Sequence, residues 1–169
     1  MDSLRDDLIR ALHAGVKVPI LTVLQPYASA LVTGPKPGEN RVWRPKELPD
    51  KGMLLIHSAA RMFPNVERRD FVLPRPGAGG KVMWPECPAF DALPMSGIIG
   101  GIRISDFQYL ADAEDSDDPW LCGPWVWKVA ERCPLSAPVA CSGFQKLWKA
   151  SPQTYADVLF GLRSQVFSR

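Results

Sequence analysis

The stretch PILTVLQPYASALVTGPKPGENRVW, Pro19–Trp43, passes through three kinds of local structure. PILTVL is a short β-branched run suited to a strand. Gln25 and Pro26 follow at once. Proline fits the first helical position, where its missing N–H would have had no partner, and Gly34 suits the left-handed position after a helix end. Tyr27 to Thr33 is therefore predicted as a two-turn helix. Pro35 and Pro37 then fix φ on either side of Lys36, while Gly34 and Gly38 permit tight turns, so the lysine sits on a loop with few conformers. ENRVW reads as a strand that puts Glu39 and Arg41 on one face, with Trp43 two further along, and turns Asn40 and Val42 away.

A carboxylate, a guanidinium and an indole on one face, with Lys36 at the rim and Glu39 and Arg41 on the floor, suit a nucleotide. They offer hydrogen bonds to a base edge, stacking on its plane and cations for phosphate. The same spacing is met equally by a Glu39–Arg41 pair that serves only the fold, with Trp43 in the core.

On either side of this stretch the chain alternates short elements and irregular connections. Leu4, Leu8, Ile9 and Leu12 form a helical stripe with Ser3 or Asp2 as cap and Gly15 as stop. GMLLIHSA, GIIGGIRISDFQYL, PWVWKVAERCPL and PVACSG are strand candidates, and the paired glycines of the second mark a bulge or a close approach of another backbone or a ligand. Trp125, Trp127 and Val129 alternate with Val126, Lys128 and Ala130, which predicts one core face and one partly open face. Arg61 to Val72 has helical character on either side of Pro64. Pro74 to Pro94, rich in proline and glycine, is expected to wrap the surface with little regular structure. Ser151 and Pro152 open a C-terminal helix with a stripe of Tyr155, Val158, Leu159, Leu162 and Val166. Strands without regular crossover helices argue for an α+β fold around a small curved or closed sheet, and against a doubly wound parallel one.

The 46% apolar composition is enough for the core of one globular unit. No apolar run reaches the roughly 18 to 20 residues of a membrane-spanning helix. The opening MDSLRDDLIRALHAG is too charged and acidic for a secretory signal or transit peptide, so a cytoplasmic location is expected, with no membrane partner. Cys87, Cys122, Cys133 and Cys141 form no C-x-x-C pair, and His13 and His57 lie far from them, so free thiols are expected, with no metal site and no cofactor. Net charge is +2, but five acids, Asp112, Glu114, Asp115, Asp117 and Asp118, fall in one run. The rest carries 20 bases against 13 acids, which suits a basic face that meets phosphate. The acidic run lacks the glycine and terminal glutamate of a calcium loop and reads as a solvated turn.

Six segments in order, Leu21–Ala28 (LTVLQPYA), Gly34–Arg41 (GPKPGENR), Gly52–Ala59 (GMLLIHSA), Gly97–Asp106, Trp125–Trp127 and Gly143–Trp148 (GFQKLW), resemble the ASCH domain of the PUA-like superfamily. The resemblance implies a small mixed β-barrel or curved sheet with flanking helices and a cleft lined by G-x-K-x-x-E-x-R. It divides the chain into an N-terminal helix and lead-in (1–18), the ASCH/PUA-like domain (19–150) and a C-terminal helix packed on that domain (151–169). It carries over a site of Gln25, Tyr27, Lys36, Glu39 and Arg41, with His57 and Ser58 at or near the same cleft. The family is associated with RNA or nucleic-acid handling. The leading expectation is therefore that RNA, single-stranded nucleic acid or a modified nucleotide binds a basic-rimmed cleft. Lys36, Arg41 and Arg44 neutralise phosphate, Glu39 and Gln25 read base-edge donors, and Tyr27 or Trp43 stacks.

A hydrolase on the same cleft is the alternative. Family members that remove the acetyl group of N4-acetylcytidine place a threonine three residues after the lysine, and others are credited with ribonuclease activity. Position 39 here is a glutamate, so the threonine mechanism does not transfer, and Lys36 and Glu39 remain as a general acid/base pair. A third reading is a protein-interaction module that uses the C-terminal helix or the proline-rich excursion.

Overall fold

In the computed structural model, residues 2–63, 72–74, 81–114 and 116–165 are described. Ser3 caps helix α1 (Leu4–His13) through its hydroxyl, and Leu4, Leu8 and Leu12 are buried beneath it. Strand β1 (Ile20–Gln25) leads into the short helix α2 (Tyr27–Thr33), then into β2 (Gly38–Arg41). β3 (Met53–Met62), β6 (Gly97–Tyr109) and β7 (Trp125–Ala140) are the long strands; β8 (Leu147–Trp148) precedes helix α3 (Pro152–Ser164), capped by Ser151. Six strands make one sheet in the order β2-β7-β6-β3-β1-β8. Among the described strands only β1 and β3 run parallel. The fold is thus mixed α+β with three flanking helices, and the sheet is open: its edge strands β2 and β8 do not pair with each other.

Bulges bend this sheet. Register slips between Ile98 and Gly100 and twice between Arg103 and Asp106, all against β7. Gly100 sits where α2 and β7 press closest: a Cβ there would lie 2.5 Å from Val32 Cγ1 and 2.6 Å from the Cys133 carbonyl oxygen. α2, β1 and the inner halves of β3, β6 and β7 form one apolar core around Leu31, Leu54, Ile56, Ile102 and Trp127. α1 and α3 cover a second, around Leu8, Leu55, Ile98 and Val158.

Several sequence expectations are corrected. PVACSG is no separate strand: β7 runs unbroken from Trp125 to Ala140 because pairing to β6 continues to Ala140 opposite Gly97. Val126 and Trp127 are both buried, so β7 is covered on two faces there. β2 stops at Arg41, leaving Val42 80% exposed and Trp43 outside the ladder. Arg61 and Met62 extend β3 rather than opening a helix, Phe63 follows without regular structure, and Val72 begins a short strand; residues 64–71 lie outside the described residues. The proline-rich excursion contains a hairpin of β4 (Val72–Pro74) and β5 (Lys81–Met83), and it sends Val82 and Trp84 into the core. Val166 lies outside the described residues, while Tyr155, Val158 and Leu162 are buried.

Charge also fastens α1 to the sheet. The buried Asp7 carboxylate meets Arg10 at 2.7 Å, Arg103 of β6 at 2.9 Å and Lys51 at 3.0 Å. Arg103 turns its Nε to Glu131 of β7 at 2.7 Å, and the other Glu131 oxygen accepts from the Leu4 N–H at the start of α1. Hydrogen bonds from Arg10 and Lys51 hold the Asp7 carboxyl well below the usual carboxylate range.

Candidate functional site: a buried Lys36–Glu39–Arg41 cluster

The site begins with how the chain leaves β1. Proline at position 26 cannot cap α2 through a side chain, and Gln25 supplies the missing partner. Its Oε1 accepts from the Ser29 N–H at 3.0 Å, and its Nε2 donates to Ser29 Oγ and to the Pro94 carbonyl, each at 2.8 Å. At the far end of α2 the Lys36 N–H returns to the Ala30 carbonyl, folding the loop back against its own helix. Arg132 of β7 locks that return: Nε donates to the Leu31 carbonyl at 3.0 Å and a terminal nitrogen to the Lys36 carbonyl at 2.7 Å. The lysine side chain is thereby turned inward.

Lys36 is 1% exposed, so it is not at the rim of the cleft but at its base. Its ammonium donates to the Gly38 carbonyl and lies 3.6 Å from Glu39 Oε2, too long for a full hydrogen bond. Glu39 Oε1 accepts from the Asn40 N–H at 2.9 Å and stands 3.8 Å from Arg41 Nε, while Arg41 donates to the Thr22 carbonyl at 3.1 Å. Glu39 Oε2 and Arg41 Nε are buried without a hydrogen-bond partner among the described residues. Burial pushes the Lys36 amine down from its usual range, against the pull of the Glu39 carboxylate.

These groups line a cavity of about 330 Å³, with Tyr27, Asn40, Phe63 and Cys122 in its wall. Asn40 builds that wall: its amide donates to the Trp120 carbonyl at 2.9 Å, and its oxygen accepts from the Cys122 N–H at 3.0 Å. Tyr27 packs edge-on to Phe63 at 5.2 Å, and burial raises its hydroxyl to about 12, so it stays protonated. A groove of about 1280 Å³ adjoins the cavity and shares Thr22, Leu24 and Arg41 with it. Trp43 and His57 line the groove, not the cavity.

The remaining expected contacts serve the fold. The amide of Gln25 is used within the chain, and Ser58 donates to the Gly97 carbonyl at 3.2 Å; both are fully buried. Arg44 lies over the Trp125 ring at 4.8 Å and lines neither space. His57 Nε2 is 2.8 Å from the Cys141 carbonyl and Nδ1 is 3.3 Å from Thr22 Oγ1, which also accepts from the Trp148 indole at 3.0 Å. The ring therefore carries its proton on Nε2 and accepts at Nδ1. No cluster of metal-ligating side chains exists among the described residues. Sequence reasoning missed Asn40, Arg132 and Cys122; only the twofold period placing Asn40 opposite Glu39 pointed to any of them.

Burial lowers the His57 pKa from its usual 6.5. Above that value the ring is neutral folded or unfolded; below it the unfolded chain takes up a proton that the folded chain refuses, so stability falls with pH. Asp7 and Glu131, whose pKa values lie below their usual 3.8 and 4.5, lose stabilisation only as pH falls past those values. A urea midpoint that drops between pH 7.5 and 5.5 in the wild type and stays level in His57→Gln is expected; parallel drops would acquit His57.

An open mixed sheet that sets a helix-loop-strand unit over a buried, charged cavity defines the class of protein. The sequence matches the ASCH domain over residues 21–157, and the chain belongs to that family, a PUA-like one. Comparison with curated protein sequences gives no match. Among solved structures the chain is similar to a serine-to-alanine mutant of ZmASCH from Zymomonas mobilis, at 13% identity and a TM-score of 0.45, covering 86% of this chain and 96% of that one.

Proposed function

We infer that the cavity takes one base of a nucleotide, presented free or within single-stranded nucleic acid, with RNA the favoured form. The observation that carries this reading is the pair of unsatisfied atoms. Among the described residues, Glu39 Oε2, 3.6 Å from the Lys36 ammonium, is an open acceptor, and Arg41 Nε, 3.8 Å from the other Glu39 oxygen, is an open donor. Leaving such groups buried costs about 1–3 kcal/mol each unless a ligand pairs them, and a base edge that offers an adjacent donor and acceptor does so. At about 330 Å³ the cavity is at the lower end for a small-molecule site, in keeping with one nucleoside and not a strand. Lys36 below and Tyr27 at the wall orient the base.

Titration of the four 5′-mononucleotides and of single-stranded RNA, followed by tryptophan fluorescence at low salt, tests the reading. Glu39→Gln is expected to cost about tenfold in affinity, and Arg41→Gln to lower both affinity and the salt slope by about one phosphate. No measurable wild-type binding would sink it.

Hydrolysis at the same cavity is a second reading, favoured by an amine pushed down by burial beside a carboxylate. It requires product release from RNA or an N4-acylated cytidine that ends in both Lys36→Ala and Glu39→Ala while the fold is kept.

A further inference from the structure

We propose that the groove beside the cavity is a second subsite, which holds the adjoining nucleotide of a single-stranded nucleic acid by stacking on Phe144 and pairing its phosphate with Lys146 and Arg61. This rests on the base-binding reading of the cavity. Three observations carry it.

The first is charge. Arg61 and Lys146 line the groove together with Arg41, and among the described residues no aspartate or glutamate does. Cys122 and Gly123 of the cavity wall end the segment that bears Asp112, Glu114, Asp117 and Asp118, none of which lines the groove. A polyanion leaving the cavity meets cations along the groove, so its backbone runs there.

The second is an aromatic ring held ready. Phe144 is 62% exposed, yet its ring is fixed edge-on to Trp148 at 5.3 Å. A large apolar ring left open to water at a cationic groove is a platform on which a base loses water at little ordering cost, and stacking is sequence-tolerant.

The third is rigidity of the loop that carries both groups. Residues 141–146 are tied down at each end. The Cys141 carbonyl meets His57 Nε2, and the Cys141 N–H reaches the Ser96 carbonyl at 3.1 Å. Gly143 lies so close to His57 that a Cβ would stand 2.5 Å from its Nδ1. Lys146 holds a left-handed φ of 58°, which sets the exit into β8. The loop thus presents Phe144 and Lys146 in one arrangement on a groove that Arg41 and Trp43 also line.

Affinity should therefore depend on chain length. Mononucleotides, dinucleotides and hexamers of RNA, with DNA hexamers in parallel, are titrated against the full chain. The wild type is expected to bind the dinucleotide about tenfold more tightly than the mononucleotide, and Phe144→Ala and Lys146→Gln to lose most of that gain while keeping mononucleotide affinity. Dinucleotide and mononucleotide affinities that are equal, or a gain that survives both substitutions, would overturn the subsite and leave the cavity reading standing. Loss of mononucleotide binding in Phe144→Ala would overturn it too, since the two sites would then not be separate. If mononucleotides do not bind at all, the cavity reading falls and the subsite with it. A DNA hexamer bound as tightly as RNA supports the subsite as one for either backbone.

Discussion

A Lys36→Met, Glu39→Leu double variant is expected to be at least as stable as the wild type, by up to about 3 kcal/mol, and to have lost nucleotide binding. Both side chains are buried, their ion pair is 3.6 Å long, and Glu39 Oε2 lacks a hydrogen-bond partner among the described residues. Coulomb attraction at that length does not fully offset the cost of taking two charges out of water, whereas apolar replacements of similar size carry no such cost. The single variants behave differently, because each strands the other charge: Lys36→Met alone is expected to cost about 3 kcal/mol. Urea denaturation of the three variants separates the two roles. A double variant less stable than either single one would show that the pair exists to hold the fold, and the binding reading would lose its main support.

Gly100→Ala is the second large expectation, a loss of about 3 kcal/mol from a single methyl group. The new Cβ meets Val32 of α2 and the backbone of Cys133 and Pro134, and the backbone atoms have no rotamer to escape into. α2 must lift, and with it the loop that turns Lys36 inward, so ligand affinity falls along with stability. Gly161→Ala is the matched control. It lies inside α3 with Leu135 Cδ2 at 3.4 Å, a flexible neighbour, and should gain up to about 1 kcal/mol from helix propensity. Equal effects at the two glycines would mean that close packing of α2 on β6 and β7 is not what Gly100 provides.

The sequence showed most where local rules act alone. Helix α2 was legible to the residue because Pro26 and Gly34 punctuate it, and the paired glycines of β6 announced both the bulge and the close approach. β7 was misjudged as two strands because Pro134 and Pro138 read as breaks, while bulged pairing with β6 tolerates both. At the site, Glu39 and Arg41 were paired correctly by the twofold period, and their contact at 3.8 Å follows from it. The depth of Lys36 was not legible, since it depends on Arg132, nearly a hundred residues away. Gln25 and Ser58 were misplaced for the same reason: a polar residue in a motif reads as ligand-facing until its internal partners are seen. Phe144 escaped notice because an exposed aromatic cannot be told from a buried one within GFQKLW.

The strand that carries Glu39 and Arg41 is an edge of the sheet, with β7 as its single neighbour. An exchange of residues there disturbs one ladder of four pairs and leaves the inner strands as they were. Chemistry placed at such a margin is open to revision: the side chains of β2 can change without the rest of the chain having to learn a new way to fold.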